Sequence, residues 1–129
     1  MKTKILVTGA SGFVGSFLIR ELLKEPNNYI TALYCNNLPL YARDKHINRV
    51  NWVQSDLTRK NNNFTILDGI QVLYHLVGYS SIKETSSEIS KLDLINVSIT
   101  KRLAEACVNS DVKHFIYVSS IAACECSDY

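Results

Sequence analysis

Short apolar runs alternate with amphipathic stretches along the chain. Ile5-Leu6-Val7 is wholly apolar and is closed by Thr8-Gly9. Such a run fits a strand buried on both faces of a parallel sheet. Beyond the glycines that follow, Phe17, Leu18, Leu22 and Leu23 recur at helical spacing, and Pro26 with Asn27-Asn28 stops that helix. Ile30 to Cys35 reads as a second strand and Asn51 to Gln54 as a third. A polar link at 59–63 leads to a short amphipathic piece, Phe64 to Leu67, ended by Gly69. Gln71 to Val77 is the fourth strand. Gly78 to Ser90 is polar and serine-rich, a loop or a loop running into a helix. Leu92, Ile95, Ile99, Leu103, Ala106 and Cys107 then share one face of a helix over Leu92 to Val108, and His114 to Val118 is a fifth strand.

Strands alternating with helices predict an α/β fold, a doubly wound parallel sheet of about five strands with helices on both sides. Right-handed crossovers favour the Rossmann-like order 3-2-1-4-5. Ligands of such sheets bind beyond the carboxyl ends of the strands. The 129 residues suffice for one modest domain, and no repeat or linker marks a second. The net charge of +2, with both signs interspersed, gives no electrostatic case for nucleic acid or an anionic membrane. No segment has the length of a signal peptide core or a membrane span. The four cysteines form no C-x-x-C pair and read as reduced thiols, so a cytoplasmic location is expected. Cys124 and Cys126 flank Glu125, and a metal site there would need further ligands, so none is assigned.

The strongest local signal is Thr8-Gly9-Ala10-Ser11-Gly12-Phe13-Val14-Gly15, directly after a buried strand and opening a helix. In that context a glycine pattern gains meaning. Gly9 permits the tight turn, Gly12 lets a pyrophosphate approach the backbone, and Gly15 lets the helix pack closely. The amides of the first helical turn, with the positive end of the helix dipole behind them, then face the phosphates. The spacing is G-x-x-G-x-x-G, and no lysine follows as a phosphate-binding loop of the G-x-x-x-x-G-K-[ST] kind requires.

This turn and four later segments resemble the extended or atypical short-chain dehydrogenase/reductase superfamily, above all its NAD-dependent nucleotide-sugar epimerases and dehydratases. Ser55-Asp56-Leu57 resembles the family's Asp-Leu after the third strand, where the carboxylate meets adenine. Tyr74-His75-Leu76-Val77-Gly78 resembles the end of its fourth strand, which lies against the cofactor. Asn96-Val97 and Leu103-Ala104-Glu105-Ala106 resemble its Asn-Val-x-Gly-Thr helix. Val112 to Ser120 resembles its fifth strand, whose terminal Ser positions substrate. The resemblance implies cofactor contacts at Gly9, Ser11, Gly12, Phe13, Val14, Gly15, Asp56, Leu57, Leu76, Val77, Gly78 and Asn96, with Ser120 in the catalytic role. It implies NAD or NADP as cofactor, a nucleotide-sugar or other small-molecule substrate, and allows a homo-oligomer.

The departures are informative. Family members using NAD often carry a carboxylate at the end of the second strand, and those using NADP an arginine. Here Tyr34-Cys35-Asn36-Asn37 has neither, so Asn36 is the candidate for the ribose and the cofactor choice leans to NAD. Val77 stands where the family has a small alanine, and Ser98-Ile99-Thr100 replaces x-Gly-Thr. The family's proton-transferring Tyr-x-x-x-Lys, in the helix after the fifth strand, has no counterpart up to Tyr129. Tyr41–Lys45 and Tyr79–Lys83 match its letters, in loops after the second and fourth strands. The expectation is an incomplete NAD(P)-binding domain over residues 1–129, cut after the fifth strand and inactive alone. A non-catalytic dinucleotide-binding module, or a chain completed by a partner, stays open. His75, inside a strand, is expected to be a packed core histidine, and Ser80 to Ser90 a solvated connector beside the site.

Overall fold

The computed structural model describes residues 2–59, 64–83 and 85–120. Five parallel strands lie in the order β3-β2-β1-β4-β5, as expected. They are β1 (Thr3–Thr8), β2 (Asn28–Tyr34), β3 (Val50–Gln54), β4 (Val72–His75) and β5 (His114–Tyr117). β1 lies in the middle, Val7 paired with Ala32 on one side and with Tyr74 on the other. Its apolar run is buried throughout from Ile5, because each face of the sheet is covered by its own core cluster.

Alternate side chains of β1 supply the two clusters, as the twofold periodicity of a strand requires. Ile5 and Val7 pack with Ala10, Ile19, Ile30 and Ala32, under helix α1 (Phe13–Leu22). Leu6 packs with Leu33, Leu57, Leu73, Ile99 and Leu103 on the opposite face. There the cover comes from a π-helical turn (Asp93–Ser98) and α3 (Ile99–Val108), which continue a helical run begun by α2 (Ser86–Leu92).

Two local expectations need correction. The long helix starts at Ser86, not Leu92, because the Thr85 hydroxyl accepts from the Glu88 amide and caps it. This moves the second half of the serine-rich stretch from connector to helix. β4 ends at His75, two residues before Val77, since Leu76 and Val77 turn across the glycine loop. Phe17, one of the four apolar residues at helical spacing, is 56% exposed. Gly15 and Ile19 are buried there, and Leu18, Leu22 and Leu23 pack against the same core. Helical spacing groups residues on one side but does not say which side is covered.

Candidate functional site

Two cavities open at the carboxyl ends of the strands, where a doubly wound sheet offers its crevice. The first, of about 330 Å³, is bounded by Gly9, Ser11 and Gly12 of the glycine turn, and by Tyr34 and Cys35 at the end of β2. Ser55 to Thr58, after β3, and Leu76 to Gly78, after β4, complete its rim, with Leu33, Ile95 and Ile99 behind. The second, of about 550 Å³, lies between the segment Gly78–Ser81, Leu92 and Asn96, and the residues Tyr117–Ser120. Gly78 borders both.

The glycine turn is shaped by contacts within the protein. Gly9 has φ +67°, and a Cβ there would lie 2.9 Å from the backbone carbon of Leu76 and the nitrogen of Val77. A side chain is excluded by conformation and by the crossing of the β4 loop. A Cβ on Gly15 would lie 2.5 Å from the Gly9 carbonyl oxygen and 2.7 Å from Ala10 Cα. Gly15 therefore seats the helix on the turn itself, not on the sheet. A Cβ on Gly12 would meet only the Gly9 oxygen, at 3.3 Å, so the chain leaves the space in front of Gly12 open.

Gly12 is the N-cap of α1. Among the described residues no side chain caps that end, and no acidic residue stands in the first turn. The first intrahelical bond runs from the Ser16 amide to the Gly12 carbonyl, and Gly12's own amide donates to Gly9 at 3.1 Å. The amides of Phe13, Val14 and Gly15 precede that first bond, as the leading amides of any helix do. An oxygen-rich anion is the natural partner of such an end. The side chains of Phe13 and Val14 turn outward, 80% and 52% exposed, so any ligand contact from these residues is through the backbone.

Asp56 lies on the rim in an Asx turn. Its Oδ1 accepts from the Thr58 amide at 3.0 Å and the Thr58 hydroxyl at 2.6 Å. These bonds, with Arg59 nearby, hold its carboxyl below the usual carboxylate range. Arg102 of α3 ties this segment down by donating to the carbonyls of Leu57 and Arg59. Asp56 is the only charged residue bordering the first cavity among the described residues. Gln54, at the end of β3, donates to the carbonyls of Cys35 at 3.1 Å and Asn36 at 3.3 Å, fixing the turn after β2.

Behind the turn, His75 is fully buried and bridges two elements. Its Nδ1 is 2.7 Å from the Thr8 hydroxyl and its Nε2 is 2.9 Å from the Thr100 hydroxyl. Thr100 donates its proton to the Asn96 carbonyl. Nε2 is therefore the protonated nitrogen, donating to Thr100, and Nδ1 accepts from Thr8. Burial pushes the imidazole pKa down to about 4, so it is neutral near pH 7. Its ring stacks on Tyr117, centroids 5.5 Å apart. This is the core histidine that its position inside a strand predicts.

Asn96 sits in the π turn and grips the loop after β4. Its Oδ1 accepts from the Tyr79 amide and its Nδ2 donates to the Tyr79 carbonyl, both at 2.8 Å. The Tyr79 phenol donates to Glu88 at 2.6 Å, with Lys91 4.0 Å above its ring. That bond and one from Ser81 hold the Glu88 carboxyl below its ordinary range.

Of the residues singled out in the sequence, Gly9, Ser11, Gly12, Asp56, Leu57, Leu76, Val77 and Gly78 border the first cavity. Phe13, Val14 and Gly15 start the helix beside it and do not line it, and Asn36 lies just past its rim. Asn96 and Ser120 border the second cavity instead. Sequence reasoning missed Tyr34, Cys35, Ser55 and Thr58, although the rule that ligands lie at strand carboxyl ends reaches them. Ile95 and Ile99 carried no such signal, being apolar positions in a helical stripe. Cys124 and Cys126 lie outside the described residues. Among the described residues, no cluster of three or more metal-ligating side chains occurs, and no helix is long and apolar enough to cross a membrane.

Known proteins share this architecture. The uncharacterized UDP-glucose epimerase YtcB of Bacillus subtilis is 27% identical over 125 residues, 91% of this chain and 40% of that protein. The dTDP-D-glucose 4,6-dehydratase of Dictyostelium discoideum is 32% identical over 133 residues, 91% of this chain and 29% of its own length. The UDP-glucuronic acid 4-epimerase of Bacillus cereus, solved in complex with NAD, superposes with a TM-score of 0.74 at 26% identity. That match covers 93% of this chain and 41% of the epimerase. The chain thus spans well under half the length of each. The sequence pattern of the NAD dependent epimerase/dehydratase family matches residues 5–127, and the chain belongs to that family.

Proposed function

We propose that this chain is the NAD-binding part of an oxidoreductase-type epimerase or dehydratase that works by hydride transfer at a carbon of a nucleotide-linked sugar. The observation that carries the reading is the uncapped, acid-free start of α1 at the edge of the first cavity. The backbone amides of Phe13, Val14 and Gly15 would hold the pyrophosphate, with Gly12 leaving room for it. Asp56 and Leu57 would meet the adenine end, and Leu76, Val77 and Gly78 would flank the cofactor as it crosses towards the second cavity. Bound there, NAD supplies the acceptor and donor of hydride.

The lining favours NAD over NADP. A 2′-phosphate on the adenosine ribose would find no Lys or Arg bordering the first cavity among the described residues. Ser120, at the second cavity, is assigned to hold the reacting oxygen of the substrate, and Asn96 to keep the wall between the cavities in place. Neither tyrosine that matches the Tyr-x-x-x-Lys letters is assigned to proton transfer. The Tyr41 phenol bonds the Ala10 carbonyl and the Tyr79 phenol bonds Glu88. A second reading is a chain that binds dinucleotide without performing chemistry.

Calorimetric titration and thermal shift test the nucleotide reading. NAD at about a hundred times its Kd should stabilise the chain by about 2.7 kcal/mol, with NADP binding more weakly. A folded chain whose melting point NAD leaves unmoved would refute it. If NAD binds, turnover of UDP-glucose or dTDP-glucose in the presence of NAD separates the enzyme from the binding module.

A further inference from the structure

Tyr41 lies in a 3-10 turn (Leu40–Arg43) of the segment between β2 and β3, thirty-one residues from the glycine turn. Its hydroxyl donates to the backbone carbonyl of Ala10. Its ring stands edge-on to Trp52 of β3, centroids 5.5 Å apart, and the Arg20 guanidinium of α1 lies 5.4 Å from its centre. Ala10 is fully buried, and its own amide donates to the Leu33 carbonyl of β2 at 3.3 Å. Both polar groups of Ala10 are thus held from the β2 side.

A trans peptide is planar, and its C=O and N–H point in opposite directions. The peptide that carries the Ala10 carbonyl also carries the Ser11 amide, and no cis bond occurs among the described residues. With the carbonyl turned back to Tyr41, the Ser11 N–H points the other way, and Ser11 borders the first cavity. If that peptide flipped, a carbonyl oxygen would take the place of the amide and repel an anion. We propose that Tyr41 is a positioning residue for the nucleotide, its hydroxyl locking the Ala10–Ser11 peptide so that the Ser11 amide donates to a phosphate oxygen. The inference rests on the nucleotide reading above. Burial pushes the phenol up to about 12, against the opposing pull of Arg20, so the donor proton is retained throughout the neutral range.

The test compares wild type, Tyr41→Phe and Trp52→Phe by calorimetry with NAD and with adenosine, which lacks phosphate. Tyr41→Phe keeps the ring and removes the hydroxyl. It should weaken NAD binding about tenfold, with adenosine binding unchanged and the melting point of the free protein nearly so. Trp52→Phe, which loosens the packing but keeps the hydroxyl, should lower the melting point and leave the NAD-to-adenosine ratio alone. Equal NAD affinity in Tyr41→Phe and wild type, or an equal loss for both ligands, overturns the proposal while the nucleotide reading stands. Absence of NAD binding to folded wild type removes both. A second readout needs no variant: NAD should shift the Ser11 amide resonance of wild type, and an unshifted Ser11 amide overturns the proposal too.

Discussion

The two cavities at the carboxyl ends of the strands meet at Gly78 and are built on opposite principles. The first is anchored on a backbone turn, with apolar side chains such as Leu33, Ile95 and Ile99 behind it. Its glycine turn is wedged under the loop after β4, its rim is held by Arg102 and Gln54, and both core clusters lie beneath it. The second is made of side chains on a serine-rich segment and on β5, where His114, Ile116 and Tyr117 are exposed. A backbone site tolerates few substitutions and binds what any backbone amide binds, an anion. A side-chain site can be altered residue by residue.

The sharpest way to break this contrast is Gly15→Val. The added atoms would collide with the Gly9 and Ala10 backbone, which has no rotamer to yield. A cost of about 3 kcal/mol or more is expected in urea unfolding, with NAD binding lost. A folded variant that still binds NAD would show that the turn is softer than its contacts imply.

A smaller effect concerns His75, which ties the end of β1 to the helix beside the second cavity. Its pKa is about 4 in the folded chain, against an ordinary value near 6.5. Above pH 6.5 the histidine is neutral in both states and its contribution is fully present. As pH falls from 6.5 towards 4, the unfolded chain takes up a proton that the folded chain resists, and stability is lost. About 1.5 kcal/mol should go between pH 6.5 and pH 5. Urea unfolding across that range should show the slope, and His75→Gln should flatten it.

The smallest effect belongs to the second cavity. Tyr79→Phe removes the bond to Glu88 and should leave the melting point nearly unchanged. The Glu88 carboxyl should titrate closer to its ordinary value, as followed by NMR, with NAD affinity unchanged. A fall in NAD affinity would mean that the two cavities are not separate in construction.

The strand order was legible because each strand carries a short apolar run and the glycine turn marks where the first one ends. The first cavity was legible for a related reason: a backbone site leaves its trace as glycines at fixed spacing. What escaped depends on contacts far apart in sequence. Tyr41 touches Ala10 across thirty-one positions, and nothing in Leu40-Tyr41-Ala42-Arg43 announces a partner in the glycine turn. The π turn at Asp93–Ser98 is equally silent, since local sequence gives no sign that Thr100 meets a strand histidine or that Asn96 grips the Tyr79 backbone. The exposure of Phe17 was not legible either, because periodicity defines a stripe, and only the neighbouring elements decide whether it is covered.

Trp52 is the sole tryptophan of the chain, and its indole nitrogen is buried without a hydrogen-bond partner among the described residues. It therefore contributes a single optical signal, one aromatic ring removed from the carbonyl of Ala10. Intrinsic fluorescence of the unlabelled protein becomes a local gauge of that corner, able to follow events at the turn in real time.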